Sequence, residues 1–382
     1  MAYTPPKVWY SSTINGTYTE LTQVLSINIF RGRQRFVDPF QGSQCTIELI
    51  PANSYSPDLA IGQFLDIRAT NSASSPAFFA GRITDVERSY GIPYNASATI
   101  AAPADRIIIT VTGATGVAAN STFDGTTTLT AGQDAVRQAA VNLGKVDSQY
   151  NALGTGPSGV TVSGSSVSGG SPIYDLTNQL LRTAQWVIDD GDPERSTASA
   201  PFGYRAEFYA SSATGTTITF RDTAGTGYKY REIQYLSSIQ QSFNQVAVEP
   251  EGLATQYATS GDKTIGYTFS TYDQTTTQAA NLAAYVLLIA NQSTPAPFRI
   301  STSTAVADGC DVLARFLTYP VGTAVTVIFR GTTVNATVQG WQFGFYPDVA
   351  NVSCFLSPSL GTPFTLDSTA FGVLDTDRLG YP

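Results

Sequence analysis

The sequence predicts a mainly β protein. Two tube-like β modules, each a barrel or sandwich, flank a small α+β insert, and an extended C-terminal tail closes the chain. Three observations predict this. Apolar residues alternate at period two near both ends of the chain, in short runs separated by turn residues. Helical spacing is confined to the middle and to one stretch near residue 280. One β pattern also occurs twice. Its first copy reads Ile61-Gly62-Gln63-Phe64-Leu65-Asp66-Ile67-Arg68, then Phe79-Ala80-Gly81-Arg82-Ile83. Its second reads Val321-Gly322-Thr323-Ala324-Val325-Thr326-Val327-Ile328, then Val338-Gln339-Gly340-Trp341. Gly62 and Gly81 are separated almost as Gly322 and Gly340 are, which aligns the glycines in pairs. Each copy runs on into a further alternation, over residues 106–111 and 351–356.

Residues 1–114 make the first module. Leu25, Ile27 and Ile29 alternate with polar residues, and so do Cys45, Ile47 and Leu49, then residues 64–67 and 107–111. Turn signals at Asp38-Pro39, Pro51-Ala52-Asn53 and Gly91-Ile92-Pro93 separate the runs, a spacing that suits a barrel or sandwich. Residues 115–235 make the insert. Thr130-Ala131-Gly132-Gln133 has the form of a capping box, in which hydroxyl and amide side chains satisfy orphan backbone groups at a helix start. Ala135, Val136, Ala139, Ala140 and Leu143 follow at helical spacing, and Gly144 is a natural stop. The Gly/Ser run over 154–170 reads as a flexible loop. Ser171-Pro172 opens a second helix with Ile173, Leu176, Leu180 and Ala184 on one face. Residues 186–188 lead into an acidic turn, and strands resume at 204–208 and 217–220.

Residues 236–358 make the second module, which begins near Ile239. A helix is expected over 276–291, with Ala279, Leu282, Ala283, Val286, Leu287 and Ala290 apolar, and a short one over 310–317. The second β copy follows. Residues 359–382 form the tail.

Composition narrows the function classes. A chain of 382 residues holds about two to four units, each large enough for its own core. Charged residues are 13% of the total, against roughly 25% in ordinary domains, while Thr, Ser, Ala, Gly and Asn abound beside 20 Tyr and 20 Phe. Neutral, hydroxyl-rich, aromatic chains of this kind are typical of extracellular or virion β proteins. A net charge of −8 argues against binding nucleic acid through phosphate contacts, and suits a surface that DNA slides past. No signal peptide is read at Met1-Ala2-Tyr3-Thr4-Pro5-Pro6, and no apolar run could span a bilayer. Synthesis in a cytoplasm is expected. The three cysteines, Cys45, Cys310 and Cys354, are an odd number; Cys45 and Cys354 share strand faces with apolar neighbours and read as small buried hydrophobes.

Chemistry is scarce. The absence of histidine removes the commonest general base and metal ligand. Lys7, Lys145, Lys229 and Lys263 sit in no recognisable motif, and there is no nucleophile elbow, phosphate loop or Cys-x-x-Cys. No catalytic residue, cofactor or metal is therefore expected. Asp189-Asp190-Gly191-Asp192-Pro193-Glu194 is the densest acidic run; its spacing does not match a calcium loop, and it reads either as a metal site or as a solvated turn. Glycosidase carboxylates far apart in sequence are not visible by inspection. Arg31, Arg33 and Arg35 have strand spacing and would point one way, to grip a neighbouring subunit's carboxylates or a phosphate, or to form a solvated face with local partners such as Asp38 and Glu48. Trp341, Phe343 and Phe345 alternate on one strand face and, with Tyr346, read as core or interface packing or as a sugar-stacking shelf.

Several of these residues carry a resemblance. Arg31-Gly32-Arg33, then Phe40-Gln41-Gly42-Ser43-Gln44-Cys45-Thr46-Ile47-Glu48-Leu49, then Phe79-Ala80-Gly81-Arg82-Ile83-Thr84-Asp85-Val86 resemble the opening of minor tail proteins of long-tailed bacteriophages. The ending is similar too: Leu356-Ser357-Pro358, Phe364-Thr365-Leu366-Asp367, and Phe371-Gly372-Val373-Leu374-Asp375-Thr376-Asp377-Arg378-Leu379-Gly380-Tyr381. Residues 115–235 match in layout alone. The layout resembles that of tail hub (baseplate hub) proteins. The resemblance implies a non-enzymatic homotrimer at the virion tail tip, whose six β modules imitate a six-fold tail tube. It implies contacts with tail tube, distal tail and other tip or fibre proteins, with a tape-measure protein as a further partner, and a channel that genomic DNA passes without specific binding. Arg31, Arg33, Arg35, Trp341, Asp375, Arg378 and Leu379 are the candidate subunit-interface residues. The chain departs from the family in carrying no lysozyme-like or peptidase segment, which speaks against a wall-degrading role. A hexameric distal tail adaptor, needing one β module per chain, and a carbohydrate-binding tail protein are the alternatives.

Overall fold

The computed structural model describes residues 3–13, 16–51, 57–68, 77–91, 105–146, 151–154, 158–190, 205–210, 213–223, 225–236, 243–261, 265–291, 297–304 and 320–359. The first strands are β1 (Lys7–Ser11), β2 (Thr19–Leu21), β3 (Val24–Gly32), β4 (Gln41–Leu49), β5 (Phe64–Arg68), β6 (Ala77–Ser89) and β7 (Arg106–Thr112). The insert holds α1 (Ala114–Ala119), β8 (Thr127–Leu129), α2 (Ala135–Leu143), β9 (Asn151–Gly154), β10 (Ser165–Val167), α3 (Ile173–Ala184), β11 (Trp186–Asp190) and β12 (Arg205–Ala210). There follow β13 (Ala213–Arg221), β14 (Tyr228–Lys229), β15 (Glu232–Gln234), β16 (Gln245–Pro250), β17 (Gln256–Thr259), β18 (Gly266–Thr271), α4 (Thr276–Ala290), β19 (Arg299–Ser303), β20 (Thr323–Phe329), β21 (Thr332–Phe345) and β22 (Ala350–Pro358). The chain is mainly β, as its patterning predicts, and among the described residues no helix is long and apolar enough to cross a membrane.

The repeat seen in sequence is a repeat in space. Strands β3-β4-β7-β6-β5 lie side by side in that order, and β15-β19-β22-β21-β20 lie in the same order with the same antiparallel senses. The registers agree residue by residue. Phe64 pairs with Arg82 where Ala324 pairs with Thr337, and Ile47 pairs with Ile109 where Ile300 pairs with Cys354. Ile27 pairs with Ile47 where Ile233 pairs with Ile300. A bulge falls between Ile83 and Asp85 in β6 and between Val338 and Gly340 in β21, at matching positions. Each unit opens on a glycine in the left-handed region, Gly62 at φ +89° and Gly322 at φ +94°. The Gly62 amide donates to the Ile83 carbonyl and the Gly322 amide to the Val338 carbonyl, each at 2.8 Å.

This register keeps one glycine pair of the sequence alignment and dissolves the other. Gly62 and Gly322 are equivalent, and so are residues 106–111 and 351–356. Gly81, however, occupies the position of Ala336, and Gly340 that of Asp85. Gly81 is small because a Cβ there would meet the Thr112 carbonyl oxygen at 2.5 Å; Gly340 has a different reason, given below.

The two units are halves of one 14-stranded sheet, continuous through a β21·β3 pairing. Strand β13, which lies within 115–235, runs parallel to β20 in that sheet. Within the first unit Ile27 and Ile29 are buried, while a register shift between Val24 and Ser26 turns Leu25 outward. Cys45 and Cys354 are buried free thiols. The remaining insert is small: α1, α2 and α3, the β11-β12-β9 sheet and the β10-β8 ribbon. In the second unit β16, β17, β18 and α4 are inserted between β15 and β19, where the first unit has a turn between β3 and β4. They have their own core of Phe243, Val246, Val248, Phe269, Leu282 and Val286.

Helix starts match the sequence in two cases of three. Ile173–Ala184 follows Pro172, with Ile173, Leu176, Leu180 and Ala184 buried. Thr276–Ala290 is opened by a capping box of Thr275 and Gln278. The box expected at 130–133 is instead a turn, in which the Gln133 amide bonds to the Thr130 carbonyl at 3.2 Å. Asp134 is the cap: its carboxylate accepts from the Val136 and Arg137 amides at 3.0 and 3.1 Å. The same carboxylate accepts from Ser158 Oγ at 2.8 Å and the Gly159 amide at 2.9 Å. The Gly/Ser segment is thereby tied down. Val162 is buried and exchanges backbone bonds with Gln133 and Gly132, and β10 pairs with β8, so the described part of 154–170 is ordered structure and not a free loop. The helix expected over 310–317 and the tail beyond 359 lie outside the described residues.

Candidate functional site

The two β units meet where β3 lies against β21. Residues 332–337 of β21 pair with β20, and its second half pairs antiparallel with β3, from Gly340 opposite Gly32 to Phe345 opposite Ile27. Both partners use one edge of β21, because β22 holds the other. Two glycines permit the crossing. Gly32 has φ +87°, and a Cβ there would stand 2.4 Å from the Gln339 carbonyl oxygen. A Cβ on Gly340 would stand 2.5 Å from the Arg33 carbonyl oxygen and 2.7 Å from that of Arg31. All of these obstacles are backbone, which cannot swing aside as a flexible side chain can.

The inner face of the joint is aromatic. Trp341, Phe343 and Phe345 stack in a row with ring centres 6.1 Å apart, and Phe78 of the first unit meets Phe345 edge-on at 4.8 Å. Trp341 is fully buried. It packs the core within one chain and presents no face to a sugar.

A buried polar cluster fastens the insert beneath this joint. Strand β11 delivers Asp189 and Asp190, both nearly inaccessible. Asp189 accepts from the Val321 amide at 3.0 Å and stands 3.7 Å from Arg31 Nη1. Arg31 Nη1 also donates to the Asp190 carbonyl at 3.1 Å, and the guanidinium sits 5.6 Å from the Phe343 ring centre. The Asp190 carboxylate accepts from the Ser43 hydroxyl, from the Thr115 amide at 3.0 Å and from the Thr115 hydroxyl at 2.6 Å. Burial pushes the Asp190 carboxyl up to about 6, and its bonds from Ser43 and Thr115 restrain the rise. Two carboxylates thus connect the first unit (Arg31, Ser43), the second (Val321) and the insert (Thr115). The solvated acidic turn expected here is corrected for these two residues, which are buried; residues 191–194 lie outside the described ones.

The three arginines do not form one row. Strand β3 ends at Gly32, so the period of two stops there. Arg31 points inward as described. Arg33 is buried, donating from Nε to Gln339 Oε1 at 2.7 Å and from Nη1 to the Asp38 carbonyl at 3.2 Å, with Phe40 4.2 Å beneath its guanidinium. Burial, and then the like charge of Arg182, lower its pKa to about 9. Arg35 turns outward onto the Asp38 carboxylate, with Nε 3.0 and 2.9 Å from its two oxygens. Glu48 binds Arg106 instead. Asp375, Arg378 and Leu379 lie outside the described residues. A pocket of about 40 Å³ lies beside Arg33, Asp38, Arg182 and Tyr267, far below the roughly 300 Å³ or more of a small-molecule site. Ser43, Thr115 and Gln339 were not singled out from sequence; their partners lie 147, 75 and 306 residues away in the chain, and no local signal marks them.

No protein-family model matches the chain, and no curated protein matches it in sequence. Solved structures do match. The 43 kDa tail protein of prophage MuSo2 from Shewanella oneidensis superposes with a TM-score of 0.59 at 13% identity, covering 91% of this chain and 97% of that one. The tail protein from Neisseria meningitidis MC58 superposes with a TM-score of 0.61 at 11% identity, covering 93% and 97%. The fold is that of phage tail proteins. Two units joined edge to edge through β21 and β3, with an insert fastened by Asp189 and Asp190, are therefore the frame of a tail-protein fold extending over nearly the whole chain.

Proposed function

We propose that the chain is a structural, non-enzymatic component of a phage virion: the tail-tip hub, which joins the tail tube to distal tip and fibre proteins and lines the DNA exit channel. The observation that carries this reading is the duplication. A closed ring of three chains presents six near-equivalent β units, which is what mating with a six-fold tube requires. The likeness to tail proteins, the shortage of charge and the net charge of −8 support a tail position past which DNA moves without adhering. A hexameric adaptor needs one β unit per chain, and two are present. Native mass measurement of the assembled protein tests the reading: a mass of three chains is expected, and six chains or a solitary chain would overturn it.

A further inference from the structure

Among the described residues, the β21·β3 joint has an unfilled counterpart on each β unit. Under the register that relates the two units, the second half of β21 corresponds to residues 85–90, and β3 corresponds to β15 and the residues after it. In β6 the edge used by β5 ends at Arg82, with the Gly62 and Gln63 bonds to Ile83 just beyond. Past the bulge, residues 85–89 pair only with β7 on their other side, among the described residues. Strand β15 pairs only with β19 among the described residues. Among the described residues, one unit therefore has an unpaired acceptor edge and the other an unpaired donor edge, each the equivalent of an edge already joined inside the chain.

The side chains agree with covered edges. Tyr90 is 70% exposed, Tyr235 43% and Leu236 45%, among the largest exposed apolar groups described. Their counterparts across the intrachain joint are Phe345, Ile29 and Phe30, of which Phe345 and Ile29 are buried. An unpaired strand edge with large apolar residues is a template for another strand.

We infer that the β6 edge of one copy accepts β15 of a second copy of this chain, antiparallel, in the register of the β21·β3 joint. Tyr90 then faces Ile233, Ser89 faces Gln234, Arg88 faces Tyr235 and Glu87 faces Leu236. The pairing stops near Glu87: Asp85 stands where the intrachain joint has Gly340, so the close backbone crossing that two glycines allow is not repeated. The contact is heterologous, head to tail, and closes into a ring in which joints within and between chains alternate. This inference deepens the ring reading above and rests on it.

Disulfide trapping in the full-length protein tests it. Arg88→Cys with Tyr235→Cys, and separately Ser89→Cys with Gln234→Cys, are made with Cys310 replaced by serine. Neighbouring antiparallel positions alternate between hydrogen-bonded and non-hydrogen-bonded pairs, and side chains approach more closely in the latter, so one of the two double variants brings its Cβ atoms nearer to the separation a disulfide needs. The expected result is oxidised, interchain-linked oligomers from one double variant, and linked dimers on mixing its two single variants. The off-register pair Ser89→Cys with Leu236→Cys should stay unlinked. Tyr90→Lys should weaken assembly about tenfold while leaving the melting temperature of the dissociated chain unchanged. Assembly by native mass without linkage above the off-register control would overturn this register and leave the ring intact. A chain that stays solitary at high concentration would overturn both.

Discussion

Gly32 and Gly340 stand opposite each other in the β3·β21 register, and a Cβ on either would lie within 2.8 Å of the other strand's backbone. The approach of the two units is set by the absence of two side chains. Gly340→Ala should cost roughly 1–3 kcal/mol through overpacking against fixed carbonyls. Gly62→Ala meets nothing within 4 Å and bears only its left-handed conformation, about 1 kcal/mol. Urea unfolding of the two variants checks the order; equal costs would mean that the joint relaxes.

Arg31 and Arg35 should differ sharply although both hold an aspartate. Arg31→Ala leaves Asp189 buried without its cation, at about 3–5 kcal/mol. Arg35→Ala loses a partly exposed pair with Asp38, worth at most about 1 kcal/mol. Denaturation midpoints of both variants measure the contrast.

Trp341→Ala removes a wholly buried ring stacked on Phe343, and should cost about 3–5 kcal/mol. Thermal unfolding will register the loss. A sugar-binding role for Trp341 would instead give a stable variant that fails to bind glycans.

Burial raises Asp66, Asp190 and Asp273 to about 6 from an ordinary value near 3.8. Between these values the folded chain holds more protons than the unfolded one, so the contribution of these groups to stability is full below about pH 4 and declines until about pH 6. Asp190→Asn keeps an acceptor for the Thr115 amide and has no proton to lose. Its stability should therefore decline less between pH 4 and pH 6 than that of the wild type. Parallel curves from urea melts at several pH values would contradict this.

Asp134→Ala should cost about 1 kcal/mol or more, since the carboxylate caps α2 and also binds Ser158 and Gly159. Thr130→Ala, at the position the sequence offers as cap, should change stability by a few tenths. Reversed costs would restore the capping box.

What the sequence made legible was the part of the repeat that depends on local chemistry. Gly62 and Gly322 hold the same left-handed turn, and the runs 106–111 and 351–356 alternate for the same reason. The repeat of β3 and β4 in β15 and β19 was hidden, because β16 to α4 separate the second pair and little beyond Ile27/Ile233 and Ile47/Ile300 is shared. Gly81 and Gly340 misled because each is required by a contact with a distant strand, not by its place in the repeat. Asp189 and Asp190 read as solvated beside further acids. Their burial is decided by Arg31, Ser43, Thr115 and Val321, remote in the chain.

Strand β21 runs through both units, bonded to β20 in its first half and to β3 in its second. Swinging one half of the molecule against the other would demand tearing a ladder of backbone bonds from a single peptide segment. Force along the strand axes loads those bonds side by side in shear, so the chain should transmit it as a stiff unit without a hinge.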